Sequence, residues 1–125
     1  MSFIATLGAG PLGGSIAHRA PSRDPIGEIR LIDESESVAR GKALDIVQAA
    51  PLEGFRARVT SAADPGAAAG AAAIILADTA AGSAEHAGEA GLGLLRSLTR
   101  VEHRAPLVFA GAAQRELIAR AAGEL

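Results

Sequence analysis

A glycine loop near the N-terminus is the most specific pattern in the sequence. It has the spacing G-x-G-x-x-G and consists of Gly8, Ala9, Gly10, Pro11, Leu12 and Gly13. The apolar run at residues 3–7 predicts a buried strand before it, and Pro11 predicts a helix start, because its missing N–H costs little there. In such a unit the first glycine permits a tight turn, the second lets a diphosphate approach the main chain, and the third lets helix and strand pack closely. The helix N-terminus adds N–H groups for an anion.

The rest of the chain alternates between strand-like and helix-like segments. The predicted strands are residues 3–7, 28–33, 56–61, 71–77 and 106–110. The predicted helices are residues 11–20, 37–50, 64–70, a segment within 82–104, and 112–122. Residues 21–27 contain two prolines and predict a turn. Strands that alternate with helices favour a parallel sheet, here in a single α/β domain over residues 1–125.

Composition excludes several classes of function. Without cysteine there is no disulfide framework or thiolate zinc site, and the three histidines, His18, His86 and His103, are too far apart to predict a metal site. A net charge of −2 and 2% aromatic residues give no basic surface or stacking rings for nucleic acid. We expect neither a signal peptide nor a membrane span, and therefore a soluble, cytoplasmic protein.

An acidic residue follows the glycine loop at the distance that nucleotide binding requires. Asp33 lies 20 residues after Gly13, at the end of the second predicted strand. A carboxylate at this position accepts hydrogen bonds from ribose hydroxyls, and it repels a 2′-phosphate, which favours NAD over NADP. The alternative is a glycine turn that only packs a helix, with Asp33 a solvated carboxylate at the end of a strand.

Two residues oppose the binding of a diphosphate. Pro11 removes one backbone donor from the loop. Asp78 follows the fourth predicted strand, where its carboxylate faces the crevice unless it points away. Because the Asp78 carboxylate and a diphosphate are both negative, they repel each other in one cleft, and the affinity for the diphosphate falls.

Three further segments carry a family resemblance. They read Leu-Ile-Asp at 31–33, Gly-Lys-Ala-Leu-Asp-Ile at 41–46 and Ala-Ala-Pro-Leu-Glu-Gly-Phe at 49–55. Together with the glycine loop they resemble the NAD-binding half of the malate/lactate dehydrogenase family over residues 1–77. The resemblance implies a Rossmann-like, doubly wound parallel sheet of about five strands in the order 3-2-1-4-5, with helices on both faces.

The resemblance also implies NAD as cofactor. It places the loop residues at the pyrophosphate and Asp33 on the ribose. The implied cofactor-binding residues are Gly8, Gly10, Pro11, Leu12, Gly13 and Asp33.

The substrate-binding part of the family pattern is missing. Family members have arginines in a mobile loop after the fourth strand, whereas residues 77–86 contain none and form a shorter segment. The family's asparagine in the next helix corresponds to about Gly91, and residues 111–114, Gly-Ala-Ala-Gln, replace its Asn-Pro segment. The catalytic histidine, its aspartate and a second arginine belong to a C-terminal half that we expect to be absent from this chain.

Several charged residues have a simpler interpretation than catalysis. His86 lies in the loop near the crevice, but a solvated histidine is the favoured interpretation. Lys42 and Asp45 have the spacing of a surface pair on a helix. The arginines at 96, 100 and 104 lie on one helical face, which indicates solvent or a partner surface.

Three functions remain open. The first is an NAD(H)- or adenine-nucleotide-binding domain without autonomous dehydrogenase activity. The second is a subunit of an NAD-dependent 2-hydroxy-acid oxidoreductase completed by a partner chain, and the third is a scaffold that binds no ligand. We expect a homodimer or a partner chain, with Leu92, Leu95 and Leu98 on one helix, and Leu117 and Ile118 on the last, as candidate contact surfaces.

Overall fold

A single five-stranded parallel sheet forms the centre of the molecule. The computed structural model describes residues 3–23, 27–52, 58–81, 84–102 and 104–124. The strands are β1 (Phe3–Leu7), β2 (Glu28–Ile32), β3 (Val59–Ala62), β4 (Ala73–Leu76) and β5 (Leu107–Phe109). Their order is β3-β2-β1-β4-β5, and all four neighbouring pairs are parallel. The predicted Rossmann-like fold and its strand order are confirmed.

Helices cover both faces of the sheet. They are α1 (Pro11–Arg23), α2 (Glu36–Ala49), α3 (Gly88–Val101) and α4 (Arg115–Glu124), with a short 3₁₀ helix at Pro65–Ala68. One apolar cluster joins the sheet to α1 and α2 through residues such as Ala17, Ile29 and Ile46. The other joins it to α3, α4 and the 3₁₀ helix through residues such as Leu76 and Leu95.

The strands supply both clusters because their side chains alternate between the two faces. On β2, Ile29 and Leu31 point toward α1 and α2, whereas Ile32 points toward α3. Arg30 lies between Ile29 and Leu31 in the strand, and its guanidinium stacks on the Phe3 ring at 3.9 Å from the centroid. Near-continuous apolar strands are typical of parallel sheets that are covered on both faces.

The apolar stripe of α3 is part of the core and not a partner surface. Leu92, Leu95 and Leu98 are fully buried against the sheet, and so is Leu117 of α4. Of the predicted contact residues, Ile118 alone is exposed, at 43%. The prediction was wrong for the four leucines, because helical periodicity shows that a face is apolar but not what covers it.

Some predicted boundaries moved. Helix α1 continues to Arg23, into the predicted turn at 21–27, and β2 ends at Ile32, which leaves Asp33 in the turn that follows. Strand β3 begins at Val59. Residues 53–55 of the segment that carries the family resemblance lie outside the described residues, and so does His103.

The carboxyl ends of the strands form the crevice that matters for function. The strand order reverses direction between β1 and β4, and open α/β sheets bind ligands at such a switch point. The glycine loop leaves β1 here, and the segments after β2 and β4 lie beside it. None of the described helices is long and apolar enough to cross a membrane.

Candidate functional site

The glycine loop adopts the tight turn that its spacing predicts. Gly8 has a φ of +117°, and a Cβ on it would overlap the backbone carbonyl of Asp78. A Cβ on Gly13 would overlap the carbonyl of Gly8. Both positions therefore require glycine, the first for its φ and both because another segment of main chain lies against them.

The backbone N–H groups of this loop all have acceptors within the protein. Gly8 donates to the carbonyl of Ile32, Gly10 to that of Asp78, and Gly14 to that of Gly10. The remaining donors, on Ala9, Leu12 and Gly13, go to carboxylates. Pro11 has no N–H to offer. The loop that was predicted to cradle a diphosphate thus has its donors engaged by the chain itself.

The carboxylate of Asp78 occupies the N-terminus of α1. Its Oδ1 accepts from the N–H of Gly13 at 2.7 Å, and its Oδ2 accepts from that of Leu12 at 2.9 Å. The residue is 5% exposed, so these charge-assisted hydrogen bonds are shielded from water. A Cβ on Gly10 would be 2.5 Å from the Asp78 carboxyl carbon, so this glycine makes room for the carboxylate. Asp78 thus points at the N-terminus of α1, and its carboxylate binds where an anion would.

Asp33 also points into the protein and not into bulk water. It is 7% exposed, and its Oδ2 accepts from the N–H groups of Ala9 and Ala80 at 2.8 and 2.9 Å. Its Oδ1 accepts from Ser35 at 2.8 Å. The interpretation of Asp33 as a solvated carboxylate was wrong. Because a carboxylate has about four lone-pair sites, one remains on Oδ1 for a further donor.

Lys42 lies on α2 and contacts the glycine loop; it does not form the surface pair with Asp45 that its spacing predicted. Its Nζ donates to the carbonyl of Ala9, and its side chain passes Gly14, whose Cβ would lie 3.2 Å from the Lys42 Cδ. The sequence interpretation was wrong because it considered only neighbours on the same helix. The lysine ties α2 to the glycine loop.

A cavity of about 310 Å³ lies beside the loop, at the carboxyl ends of β1, β2 and β4. Five of the twelve lining residues come from β1, β2, α3 and the 3₁₀ helix, and the other seven come from connecting segments. The lining residues are Leu7, Ile32, Asp33, Glu34, Ser35, Ala63, Pro65, Thr79, Ala81, His86, Ala90 and Leu94. Glu34 and Ser35 were not among the predicted site residues, although their position directly after Asp33 places them at the same strand end.

His86 lines this cavity and is half-buried, so its interpretation as a solvated loop histidine was wrong. Its Nε2 is shielded from solvent and has no hydrogen-bond partner among the residues described. Burial lowers the pKa of His86, against the opposing effects of Asp33, the Leu7 carbonyl, Asp78 and Glu34. The lowered pKa favours the neutral form of the ring at physiological pH.

The segment after β4 folds back on itself as a short hairpin. The backbone N–H of His86 donates to the carbonyl of Ala77 at 3.0 Å, and the backbone N–H of Thr79 donates to that of Ala84 at 2.8 Å. The buried side chain of Gln114 holds the base of this hairpin, with its Nε2 donating to the carbonyls of Ala77 and His86. These contacts fix the backbone on both sides of Asp78.

The site fits one half of a dinucleotide and not the other. The cavity beside Asp33 has the apolar walls and acidic rim that suit a nucleoside. The place for the pyrophosphate does not fit, because Asp78 occupies it and the loop N–H groups are engaged. In the described part of the chain, no group of three or more histidine or acidic side chains has the geometry of a metal site.

Solved structures with a similar fold are lactate and malate dehydrogenases, whereas no family model matches the sequence. The lactate dehydrogenase from Cryptosporidium parvum is 30% identical, with a TM-score of 0.54, over 59% of this chain and 24% of its own. The chain resembles the N-terminal part of the lactate/malate dehydrogenase family. Other matches cover more of this chain at a lower sequence identity.

Two malate dehydrogenases cover most of the domain and are less similar in sequence. That of Salinibacter ruber is 21% identical, with a TM-score of 0.77, over 97% of this chain and 41% of its own. That of Plasmodium falciparum, solved in complex with NADH, is 18% identical, with a TM-score of 0.72, over 90% of this chain and 36% of its own. The dehydrogenase-like domain thus spans less than half the length of these matches.

Proposed function

We propose that this dehydrogenase-like domain binds the adenosine part of NAD(H) or of another adenine nucleotide, and that it performs no hydride transfer by itself. The observation that carries the proposal is the cavity at the β1/β4 switch point with Asp33 in its wall. The dehydrogenases that share the fold include one solved with lactic acid and NAD. The proposed contact to the ribose is Asp33, whereas the glycine-loop residues predicted to bind a pyrophosphate (Gly8, Gly10, Pro11, Leu12 and Gly13) are not among the residues that line the cavity.

The size and chemistry of the cavity support a nucleoside. Ligand pockets span roughly 300–1,000 Å³, so a cavity of about 310 Å³ suits one nucleoside and not a whole dinucleotide. Leu7, Ile32 and Leu94 offer apolar contacts to a base. The free lone pair of Asp33 and the exposed carboxylate of Glu34 are acceptors for ribose hydroxyls.

The described residues that line the cavity support the absence of hydride transfer to or from a hydroxy acid. Such a reaction needs a general acid or base within reach of the reacting oxygen and a cation on the substrate carboxylate. Of the described residues that line the cavity, none is Arg or Lys. Asp33 and Glu34 would repel a carboxylate substrate.

Calorimetric titration with adenosine tests the binding. We expect saturable heat, and we expect Ala90→Phe, which fills the cavity from α3, to weaken binding at least about tenfold. Ala122→Phe, at an exposed position on α4, is the matched control. Absence of heat at millimolar adenosine with the folded protein would contradict the proposal.

An activity assay tests the second part of the proposal. The domain is incubated with NAD and either malate or lactate, and NADH formation is followed. We predict no turnover, because none of the described residues that line the cavity is a cation that could hold the carboxylate. Turnover by the chain alone would contradict this part of the proposal.

The expected association with a second copy or a partner chain stays a prediction. In the described part of the chain, exposed apolar side chains lie on α2, where Leu44 is 54% exposed and Val38 and Val47 are also exposed. Light scattering after size exclusion measures the state in solution. A monomer at micromolar concentration would contradict the prediction.

A further inference from the structure

We propose that Asp78 makes the cleft selective for an uncharged nucleoside over its 5′-phosphates. This inference rests on the proposed function, since it assumes that the cavity takes a nucleoside. It adds the class of ligand: adenosine is preferred to AMP, and AMP to ADP. The residue responsible lies outside the predicted binding set and contacts Leu12 and Gly13 of the glycine loop, whereas Asp33 contacts Ala9.

The first argument is occupancy. The carboxylate of Asp78 accepts from the N–H groups of Leu12 and Gly13, which are the donors that a helix N-terminus offers to a phosphate. A phosphate that bound here would have to displace a buried carboxylate from two charge-assisted hydrogen bonds. The displaced charge would then need water or another donor, because a buried charge without partners is unfavourable.

The second argument is the fixed position of Asp78. Its main-chain carbonyl accepts from Gly10 at 3.0 Å, and its backbone pairs with Glu85 across the hairpin. The Oε1 of Glu85 in turn accepts from the N–H of Ala113 at 2.7 Å. The main chain of Asp78 therefore does not move aside unless the hairpin opens, and only a rotation of the side chain would vacate the site.

The third argument is the charge of the cavity itself. The charged residues among its described lining are Asp33 and Glu34, both acidic, and burial keeps His86 neutral. The ammonium group of Lys42 is directed at the carbonyl of Ala9. A ligand that brings a phosphate therefore meets the carboxylate of Asp33 at one end of the loop and that of Asp78 at the other, whereas a neutral nucleoside meets only acceptors for its hydroxyl groups.

Calorimetry with adenosine, AMP and ADP on the wild-type protein and on Asp78→Ala and Asp78→Asn tests the inference. We expect adenosine to bind all three proteins within about twofold, and ADP to gain at least about tenfold in Asp78→Ala. Asp78→Asn keeps the size of the side chain and removes its charge, so it shows an intermediate gain. Asp45→Ala removes an exposed carboxylate from α2 and leaves the ADP affinity unchanged.

The two ligands separate the two proposals. If adenosine binds but ADP binds the wild-type protein as tightly, with no gain in either Asp78 variant, the selectivity is overturned and the proposed function stands. If adenosine binds none of the folded proteins, the proposed function fails and the inference with it. Circular dichroism confirms folding, and if Asp78→Ala does not fold, the wild-type and Asp78→Asn titrations decide.

Discussion

The carboxylate of Asp78 lies 2.7 Å from the backbone nitrogen of Gly13, although the two residues are 65 positions apart in the chain. This contact joins the end of β4 to the first turn of α1. It makes the glycine loop a self-contained unit, because the anion that the helix N-terminus attracts is supplied by the chain. The stability of the fold and the properties of its cleft therefore depend on the same side chain.

Replacement of Asp78 by alanine should destabilise the fold. Two buried N–H groups lose a charged acceptor, which costs about 1–3 kcal/mol in the free energy of unfolding. Urea denaturation measures the loss, with Asp45→Ala as a control that should change stability by less than about 0.5 kcal/mol. Sulfate should raise the melting temperature of Asp78→Ala more than that of the wild-type protein, because it can bind the vacated donors. Equal responses to sulfate would contradict this.

Asp33 should matter for folding before it matters for binding. Asp33→Ala leaves the N–H groups of Ala9, Ser35 and Ala80 without their acceptor, and we expect a loss of about 2–4 kcal/mol. Asp33→Asn should lose less, because its carbonyl oxygen still accepts. The measurement is again urea denaturation. An unchanged stability of Asp33→Ala would show that these hydrogen bonds do not support the loop.

Two helical glycines should respond in opposite directions to the same substitution. Gly13→Ala places a methyl group against the Gly8 carbonyl and should destabilise the protein by more than about 2 kcal/mol. Gly41→Ala on α2 meets nothing within 4 Å and should stabilise it by about 0.5–1 kcal/mol. Thermal unfolding of both variants checks the pair. Similar shifts in both would argue against close packing of loop and helix.

His86 should make the fold less stable in mild acid. Its pKa is lowered by burial in the folded state, whereas the unfolded chain titrates near the ordinary histidine pKa of 6.5. Below about pH 6.5 the unfolded state binds the proton more readily, so the free energy of unfolding decreases as the pH falls toward the folded pKa. Urea denaturation at pH values above and below this point measures the slope, and His86→Gln should remove it.

The pH dependence that Glu28 gives to the free energy of unfolding lies at a more acidic pH than that of His86. Burial raises its pKa, but hydrogen bonds from Thr60 and Arg30 outweigh this and hold the pKa below the ordinary glutamate value of 4.5. Its contribution is therefore complete above pH 4.5 and is lost only in stronger acid. A slope near pH 6 that persists in His86→Gln would contradict the assignment to His86.

The sequence predicted those features that depend on neighbours along the chain. The run of strand, glycine loop, helix and strand from Phe3 to Ile32 follows from local periodicity and from the conformational needs of Gly8. The strand order came from the family resemblance. Asp33 was found because its distance from the loop is a fixed property of the unit.

The features that the sequence did not predict depend on contacts between distant segments. The orientation of Asp78 depends on the hairpin that is held by Gln114, the residue directly before α4. The place of Lys42 depends on the packing of α2 against the loop. The burial of the α3 leucines depends on the sheet that covers them, and the sequence pattern gives only the apolar face.

Nuclear magnetic resonance of the backbone amides of Leu12 and Gly13 tests most directly whether Asp78 closes the anion site. With adenosine, we predict that the amide chemical shifts of Ser35 and Ala80 change while those of Leu12 and Gly13 do not. With ADP at the same concentration, the wild-type amides of Leu12 and Gly13 should again stay in place, and they should shift in Asp78→Ala. A shift of both amides when ADP is added to the wild-type protein would show that the phosphate displaces the carboxylate, which would contradict the account.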